Sequence, residues 1–297
     1  MSDKRPRYAS WTAGKLPLTE LMEMKRRGEK IVMVTAYDAP SGQLADAAGV
    51  DLILVGDSSG MVLHGRESTV AVSLDEIVFM TQWVTRGAKQ PIVVADMPFG
   101  SYEVSNEQAV TNAVRLVKDA GADAVKLERG GTSIERARAI VAAGIPVMGH
   151  IGLTPQTATV LGGFKAQGRT ADRAQQLIDD ALALQDAGCF AIVLEAVPAT
   201  VAKAVTAALA VPTIGIGAGG DTDGQVLVWH DMLGYYDGHA PRFVKRYADV
   251  GDTIVEALGR YADEVRSGAF PEEQHTYSMP EDERTAFEQG KAGKAKI

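Results

Sequence analysis

The chain has 297 residues, a formal net charge of −8 and 46% hydrophobic residues. This length fits one large α/β domain or two small ones, and the apolar content is ample for a buried core. The acidic balance argues against a nucleic-acid partner and against a polybasic membrane contact.

The single cysteine and the absence of apolar targeting segments indicate in which cellular compartment the protein works. Cys189 follows a glycine that ends a predicted helix, so we expect a buried and unreactive thiol, and one cysteine permits no internal disulfide. This usage fits a reducing cytoplasm. The basic cluster at 4–7 lacks the apolar segment of a signal peptide. The uncharged stretch 204–220 is interrupted by Pro212, so no transmembrane helix is expected.

The first predicted elements are a flexible extension over residues 1–14, an amphipathic helix within 18–30 that ends near Gly28, and a strand over 31–36. The chain then repeats one arrangement four times: a helix end, a glycine suited to the left-handed cap, and a buried strand. These repeats occupy 46–55, 118–127, 141–148 and 185–194.

Three more strands are predicted at 92–96, 212–216 and 226–229, which brings the total to eight. Two capping boxes support helix starts, one from Ser73 to Glu76 and one from Ser105 to Gln108. Short parallel strands alternating with helices predict a single-domain (β/α)₈ TIM barrel, with a doubly wound sheet as the alternative.

No low-complexity linker divides the chain, so the barrel domain is expected over 15–275, with closing helices within 234–270. The charged tail over 276–297 is expected to be extended or disordered after Met279.

Carboxylates follow four of the predicted strands, where a barrel carries its active site. They are Asp57, Asp96, Glu128 and Glu195. Carboxylates gathered on one rim repel one another unless a cation or protons compensate, and their oxygens suit Mg²⁺ or Mn²⁺. The pattern therefore predicts a metal site. The alternative is that one or two of these acids cap the next helix, Asp57 above all because it precedes a polar loop.

Lys126 and Glu128 are two residues apart in one strand and therefore share a face. Such a pair is unfavourable in an apolar interior but fits a place where a metal and an anionic substrate meet. An ion pair that merely fills the barrel is the alternative.

Two histidines and one glycine-rich segment leave other possibilities open. His150 ends a strand, and we expect it to support the ligands or face the substrate. His64 lies in the loop 59–72, where plain solvent exposure and a mobile lid are both open. The segment 215–220 matches G-x-G-x-x-G, but the next strand follows too soon for the helix of a dinucleotide site. A turn close to a ligand, or a phosphate cradle, is favoured instead.

Several motifs together resemble the ketopantoate hydroxymethyltransferase family over roughly residues 15–275. They are GDSSGM (56–61), ADMPFGSY (95–102), VKLE (125–128), GHIGLTPQ (149–156), LEAVP (194–198) and GIGAG (215–219), followed by 223–228 and 231–234. The resemblance implies transfer of a hydroxymethyl group from 5,10-methylenetetrahydrofolate to 3-methyl-2-oxobutanoate. The product would be 2-dehydropantoate, on the route to pantothenate and coenzyme A.

The resemblance also implies roles for individual residues. Asp57, Asp96 and Glu128 would bind Mg²⁺. Asp57, Ser58, Asp96 and Lys126 would contact the keto acid, and Glu195 would be the proton acceptor. A homo-oligomer, specifically a homo-decamer, is also implied.

These residue types suit that chemistry. A 2-oxo acid can chelate a metal, which stabilises the enolate as a Lewis acid. Lys126 would neutralise the substrate carboxylate or the enolate oxygen. A Schiff base is the alternative, discounted because Glu128 keeps the amine protonated. Glu195 ends an apolar strand with little compensating charge, which favours a base. The alternative is a buried glutamate bonded to backbone amides.

Two further hypotheses remain at this stage. One is a metal-dependent carbon–carbon lyase on a related barrel, acting on an oxaloacetate-like or phosphonate 2-oxo acid without folate. The other is a catalytically inactive barrel that serves as a binding subunit, against which the acids at every expected strand end argue.

Overall fold

Eight parallel strands close into a barrel in chain order, so the fold is the predicted (β/α)₈ barrel. The strands are β1 (Ile31–Thr35), β2 (Leu52–Val55), β3 (Ile92–Asp96), β4 (Ala124–Glu128), β5 (Val147–Gly152), β6 (Ala191–Glu195), β7 (Thr213–Ile216) and β8 (Gly224–Leu227). The structure is a computed structural model that describes residues 14–236, 238 and 241–292. The predicted extension before residue 14 lies outside the described residues.

Helices alternate with the strands. They are α1 (Leu18–Arg27), α2 (Ala39–Ala48), α3 (Ser59–Val62), α4 (Leu74–Gly87), α5 (Asn106–Val114), α6 (Thr132–Ala142), α7 (Ala171–Asp186), α8 (Ala199–Ala208) and α9 (Trp229–Leu233). A π-helical turn (Arg115–Asp119) continues α5, and a 3₁₀ turn (Pro155–Thr157) follows β5. The predicted capping box at the start of α4 is present, since Ser73 and Glu76 exchange side-chain to backbone hydrogen bonds.

Alternate residues of each strand belong to two separate cores. The barrel interior contains Leu52, Leu54, Val94, Ala124, Met148 and Val193. The layer between strands and helices contains Ile53, Val93, Val125, Leu127 and Leu194. Because side chains alternate across a strand, the next interior positions of β3, β4, β5 and β6 are taken by titratable residues at the carboxyl ends of the strands.

Helix α1 contributes to the interior core from the amino-terminal side of the strands. Leu21 and Met24, one helical turn apart, belong to the same cluster as Ile31 at the start of β1. Leu21 is fully buried, and burial of such a side chain stabilises a fold by roughly 1.5–3 kcal/mol. The apolar contacts therefore lie at one end of the barrel and leave the other end to polar groups.

Predicted and observed boundaries agree at some elements and differ at others. The last strand occupies 224–227 rather than 226–229, because Gly224 pairs with both Ile31 and Ile214, and Trp229 already begins α9. The first helix ends at Arg27, where Gly28 adopts the left-handed cap, which confirms the helix end predicted near Gly28. The predicted loop 59–72 begins with the short helix α3.

The chain divides into two compact units, one up to residue 248 and one from residue 249. The second unit contains α10 (Val250–Ser267), a 3₁₀ turn (Glu273–His275) and α11 (Glu281–Ala292). The prediction of an extended or disordered tail after Met279 is wrong over 281–292. Three acidic residues in the first turn of α11 favour a helix there, because they complement the positive end of the helix dipole.

The expected end of the barrel domain at 275 stays a prediction.

No helix among the described residues has both the length and the apolar content that crossing a bilayer would need.

Candidate active site

Four buried polar side chains meet at the carboxyl end of the barrel interior. Asp96 ends β3, Lys126 and Glu128 end β4, and His150 lies near the end of β5, all at most 3% exposed. Glu195 ends β6, and its side chain is 15% exposed. Lys126 and Glu128 do share the inner face, so the structure brings the predicted strand-end residues together.

Lys126 forms a buried ion pair with Asp96, with Nζ 2.8 Å from Oδ1. Burial alone would lower the pKa of Lys126, but the charges of Asp96, Glu128 and Asp57 outweigh burial and raise it above its usual range. The amine is therefore a protonated, compact positive charge. Glu128 was expected to keep it protonated, but Asp96 is its direct ion-pair partner.

Asp57 lies next to Asp96 just beyond the end of β2. Its backbone amide donates to Asp96 Oδ2 at 3.0 Å. Gly56 permits this approach, since a Cβ at that position would lie 3.3 Å from the same oxygen. Burial, and then the charges of Asp96 and Glu128, raise the pKa of Asp57 well above its usual range.

The side chain of Asp57 does not cap the following helix. Its Oδ2 accepts a hydrogen bond of 2.8 Å from Gln156 Nε2, and α3 has no side-chain cap. The capping alternative for Asp57 is therefore wrong, and its carboxylate belongs to the buried group.

Gln156 connects these acids, and the sequence predictions did not include it among the site residues. It lies in the 3₁₀ turn after β5, is 4% exposed, and donates from Nε2 also to Met97 O at 2.9 Å. Its backbone amide donates to Glu128 Oε2 at 3.0 Å, and its Oε1 accepts from the Tyr102 hydroxyl at 2.6 Å. Gln156 thus holds the Asp57 carboxylate with its side chain and the Glu128 carboxylate with its backbone amide, which fixes both acids in place.

The signal for Gln156 was available but weak. Gln156 ends the GHIGLTPQ motif and Tyr102 ends ADMPFGSY, so both belong to segments that carry the family resemblance. Neither residue stands at a strand end, the place from which a barrel sequence most directly indicates its active-site residues.

His150 lies between two carboxylates. Its Nδ1 is 3.6 Å from Glu128 Oε1 and 3.3 Å from Lys126 Nζ, and its Nε2 is 3.2 Å from Glu195 Oε2. Burial and Lys126 would lower the pKa of His150, but the adjacent carboxylates of Glu128 and Glu195 raise it to about 9. The imidazole therefore carries a positive charge at neutral pH, which in turn lowers the pKa of Glu128 against the effect of burial.

Glu195 has more compensating charge than the sequence indicated. The apolar strand before Glu195 predicted little compensating charge. In the structure β5 lies beside β6 and brings His150 next to the Glu195 carboxylate. Gly152 is paired with Glu195 and has φ +96°, and a Cβ there would lie 2.3 Å from the Glu195 carbonyl oxygen. A glycine is thus required where the two strand ends meet.

Ser58, the remaining predicted substrate contact, lies beside Asp57 and is half-buried. Its Oγ is 2.9 Å from the Tyr37 hydroxyl, which comes from the segment after β1. Ser58 is therefore held at the same end of the barrel as the acids.

Other polar candidates lie apart from this group. His64 Nδ1 is 3.5 Å from Glu76 Oε1 on α4, and the lid interpretation stays a prediction. Cys189 is buried, and burial raises the pKa of its thiol to about 12. No helix lies between β7 and β8, so the glycine segment after β7 lacks the helix that a dinucleotide site needs, as predicted.

The carboxylates fit a hard divalent cation. Within the described part of the chain, no three His, Cys, Asp or Glu side chains are arranged to hold a metal. Mg²⁺, however, is commonly held by one or two carboxylates, with water and substrate oxygens completing the shell. Asp96 Oδ1 is buried without a hydrogen bond of suitable geometry despite its short contact with Lys126. With Asp57 beside it, Asp96 offers such a pair of oxygen donors.

Comparison with known proteins decides which barrel enzymes this chain resembles. A profile of the ketopantoate hydroxymethyltransferase family matches residues 15–273. The 3-methyl-2-oxobutanoate hydroxymethyltransferase of Moorella thermoacetica is 57% identical over 263 residues, which cover 89% of this chain and 98% of that protein. The enzyme of the same name from Heliobacterium modesticaldum is 54% identical over 270 residues, covering 91% and 98%. The chain belongs to the ketopantoate hydroxymethyltransferase family.

The resemblance drawn from the motifs is thereby confirmed. Membership of this family makes the chain a hydroxymethyltransferase. This membership also argues against an inactive barrel.

Solved structures with a similar fold come from other enzymes. Phosphonopyruvate hydrolase in complex with oxalate and Mg²⁺ has a TM-score of 0.56 and 15% identity, covering 94% of this chain and 98% of that one. A 2,3-dimethylmalate lyase of the PEP mutase/isocitrate lyase superfamily has a TM-score of 0.54 and 15% identity, covering 92% and 98%. At this identity the likeness shows the fold alone. The carbon–carbon lyase alternative is not favoured over the ketopantoate hydroxymethyltransferase family.

Proposed function

We propose that this chain transfers a hydroxymethyl group from 5,10-methylenetetrahydrofolate to 3-methyl-2-oxobutanoate, giving 2-dehydropantoate for pantothenate and coenzyme A synthesis. The observation that carries the proposal is the buried group of Asp57, Asp96, Lys126 and Glu128, with the more exposed Glu195 beside it, in a chain of this family. The group combines a fixed positive charge, a set of oxygen donors and a carboxylate within reach of solvent.

Lys126 and the carboxylates would bind the keto acid. The ammonium of Lys126 neutralises the substrate carboxylate or the oxygen that becomes negative when C3 loses its proton. Its ion pair with Asp96 holds the charge in position, and Asp57, Ser58 and Asp96 provide the remaining polar contacts. Burial strengthens these interactions because the local dielectric constant is low.

Asp57 and Asp96 would hold Mg²⁺ together with Glu128, the third residue that the family resemblance implies, although the three side chains are not arranged around a metal in the described part of the chain. The chemistry that this ion supplies when bound is polarisation of the keto oxygen. Glu128 already accepts from the Gln156 amide and faces His150, so its position is fixed from both sides.

Glu195 would be the base that removes the C3 proton. Its carboxylate is at the edge of the buried group, and His150 holds one of its oxygens at 3.2 Å. The positively charged imidazole orients the carboxylate, and the other oxygen is left to face the substrate.

The experiment follows the C3 proton in the absence of folate. Enzyme, Mg²⁺ and 3-methyl-2-oxobutanoate are mixed in heavy water, and loss of the C3–H signal is followed by NMR. The wild-type protein should exchange this proton. Glu195→Gln should bind the keto acid but lose about 10²–10⁴-fold in exchange rate, the usual contribution of a general base.

Glu135→Gln is the matched control, since that glutamate is exposed on α6. Exchange by Glu195→Gln at the wild-type rate would remove Glu195 from the role of base and leave His150 or a bound water. With methylenetetrahydrofolate added, the wild-type protein should form 2-dehydropantoate. Release of pyruvate from oxaloacetate instead would contradict the proposed transferase activity.

We also propose that the chain works in the cytoplasm as a homo-oligomer, specifically the homo-decamer that the family resemblance implies. Light scattering coupled to gel filtration measures the number of subunits directly. A monomer at all concentrations would contradict this assembly.

A further inference from the structure

A cavity of about 250 Å³ lies beside the active site, outside the barrel wall. Its walls come from the segment after β4, the end of β5, the loop 153–168 and the first part of α7. Gln156, which holds Asp57 and Glu128, lies in the same loop. The cavity and the active site therefore share structural elements.

Two arginines line the cavity without partners. Arg129 is half-buried and Arg173 is exposed, and neither guanidinium forms a hydrogen bond or ion pair with any residue in the described part of the chain. The one acid in the lining, Asp180, accepts from Gln176 at 3.1 Å and lies against Gly130. The cavity thus has an unmatched positive charge.

Arg129 also occupies an unfavourable backbone conformation. Its φ is +76°, which few residues other than glycine adopt readily. A strained residue persists where the surrounding structure fixes it, and such residues cluster at ligand sites. The Arg129 amide donates to His150 O at 2.8 Å, which fixes the backbone and aims the side chain away from the barrel interior.

The uncharged part of the lining is mixed, with the polar residues Thr154, Thr157, Gln167 and Gln176 and several aliphatic ones. Ile151, Leu161 and Leu177 provide an aliphatic surface next to the two guanidinium groups. A ligand portion that suits both features has a flat apolar part and more than one carboxylate. Guanidinium groups bind carboxylates in a bidentate manner and stack on aromatic rings.

We propose that this cavity binds the p-aminobenzoylglutamate portion of the folate co-substrate, with Arg129 and Arg173 holding its two carboxylates. This inference rests on the proposed function. The position is suitable because Arg129 directly follows Glu128, and Leu153 N donates to the Glu195 carbonyl at 2.8 Å. A folate held there by its carboxylated end can reach over the rim and place its one-carbon unit at the active site.

The test measures how the folate tail contributes to KM. The variants are Arg129→Gly, which removes the guanidinium and suits the positive φ, and Arg173→Gln. In each, KM for methylenetetrahydrofolate should rise about tenfold, the usual effect of one lost charge-assisted hydrogen bond, while kcat and KM for the keto acid stay unchanged. Arg86→Gln is the matched control, because Arg86 is an exposed arginine in the last turn of α4.

A second arm replaces the co-substrate by methylenetetrahydropteroate, which lacks the glutamate. The wild-type protein should show a higher KM for it, and the difference should vanish in the double variant Arg129→Gly/Arg173→Gln. Equal KM values for the folate in wild type and double variant would overturn the inference.

Folate-free exchange of the C3 proton separates this inference from the proposed function. The arginine variants should exchange at the wild-type rate. If the wild-type protein exchanges and forms 2-dehydropantoate but the variants keep their folate KM, only the cavity assignment fails. If the wild-type protein does neither, the proposed function itself fails.

Discussion

At the scale of single residues, Gln156 determines how the carboxylates are arranged. It satisfies Asp57 with its side chain and Glu128 with its backbone amide, and Tyr102 fixes the orientation of its amide group. No other described side chain bonds both to an acid after β2 and to a group from the segment after β3. Residues that orient metal ligands usually affect metal affinity by 10–100-fold, although they do not touch the ion.

We therefore expect Gln156→Ala to weaken Mg²⁺ binding by about 10–100-fold. The substitution leaves the buried Asp57 Oδ2 without its partner, so this side chain becomes free to turn. The Tyr102 hydroxyl loses its shortest hydrogen bond and keeps only its bonds to the Glu128 backbone. Calorimetric titration with Mg²⁺ alone measures this without any turnover. Gln175→Ala on the surface of α7 is the control. Unchanged Mg²⁺ affinity in a folded Gln156→Ala protein would show that the glutamine is only structural.

Lys126 should act by its charge and not as a nucleophile. Its ion pair with Asp96 at 2.8 Å keeps the amine protonated, and a protonated amine cannot attack a carbonyl carbon. Borohydride added with 3-methyl-2-oxobutanoate should therefore leave the activity intact, whereas an aldolase that forms a Schiff base, treated in parallel, should lose it. A reduced adduct on Lys126, found by mass spectrometry, would contradict this expectation.

The sequence predicted the strand-end residues because one rule covers them all. Parallel strands bring their carboxyl ends to one rim, so Asp96, Glu128 and Glu195 had to meet whatever the details of packing. The contact between His150 and Glu195 was not predictable in the same way, since it depends on which strands are neighbours and on their register. His150 supplies compensating charge to Glu195, which the apolar sequence before Glu195 gave no reason to expect.

At the scale of elements, the start of α4 is tied to the loop before it. Glu76 completes the capping box with Ser73 and also accepts from Arg66 at 2.5 Å. The hydrogen bond from Arg66, followed by those from Ser73, lowers the pKa of Glu76 to about 2 against the smaller effect of burial. Arg66 in turn donates to Ala71 O, so the loop between α3 and α4 is held through one carboxylate.

This ion pair should make stability depend on acid pH. The pKa of Glu76 is lower in the folded than in the unfolded chain, where it is near 4.5. Its contribution is therefore full above that value and is lost as the pH falls toward 2. Because the pair is partly exposed, the contribution is on the order of 1 kcal/mol or less.

Glu76→Gln tests this contribution, since glutamine keeps the capping box and removes only the charge. Urea unfolding should show the variant to be less stable than wild type at pH 6, and the difference should shrink below pH 4.5 and vanish as the pH falls through about 2. A difference that does not change with pH would assign the effect to the cap instead of the ion pair.

Helices and strands whose sequence signals lie within a few residues were predicted correctly. Elements whose position depends on distant parts of the chain were not. The strand after each helix-ending glycine follows from the glycine and the β-branched run, both of which lie within a few residues. The last strand was misplaced because its pairing with β1, almost two hundred residues away in the chain, determines its register. Helix α11 was missed because its charged composition is equally common in unstructured tails.

At the scale of the whole molecule, the barrel separates stability from function along its axis. Apolar side chains fill the interior at the amino-terminal end, and buried acids occupy the carboxyl end. The acids repel one another and lack the hydration they would have in water, so they destabilise the fold when no cation is bound. Natural active sites often accept such a loss of stability because the chemistry requires the arrangement.

The last prediction follows from this conflict and concerns the thermal stability of the whole protein. Asp57→Asn removes one of the repelling charges and keeps the shape of the side chain. Because burial and the neighbouring acids raise the pKa of Asp57, its ionised form is unfavourable in the folded state, and the metal-free variant should be more stable than metal-free wild type by about 1–3 kcal/mol. Mg²⁺ should raise the Tm of wild type in a concentration-dependent manner and leave the Tm of Asp57→Asn unchanged, since only a ligand that binds the native state stabilises it.

The control is Asp186→Asn, which replaces an exposed aspartate at the end of α7 and should behave as wild type in both respects. For a chain of this size, each kcal/mol corresponds to roughly 2–4 °C in Tm, so scanning calorimetry with and without Mg²⁺ resolves the effect. If metal-free Asp57→Asn proved less stable than wild type, the hydrogen bond from Gln156 would outweigh the repulsion among the acids. If its Tm rose with Mg²⁺ over the same concentrations as that of wild type, Asp57 would not be a ligand.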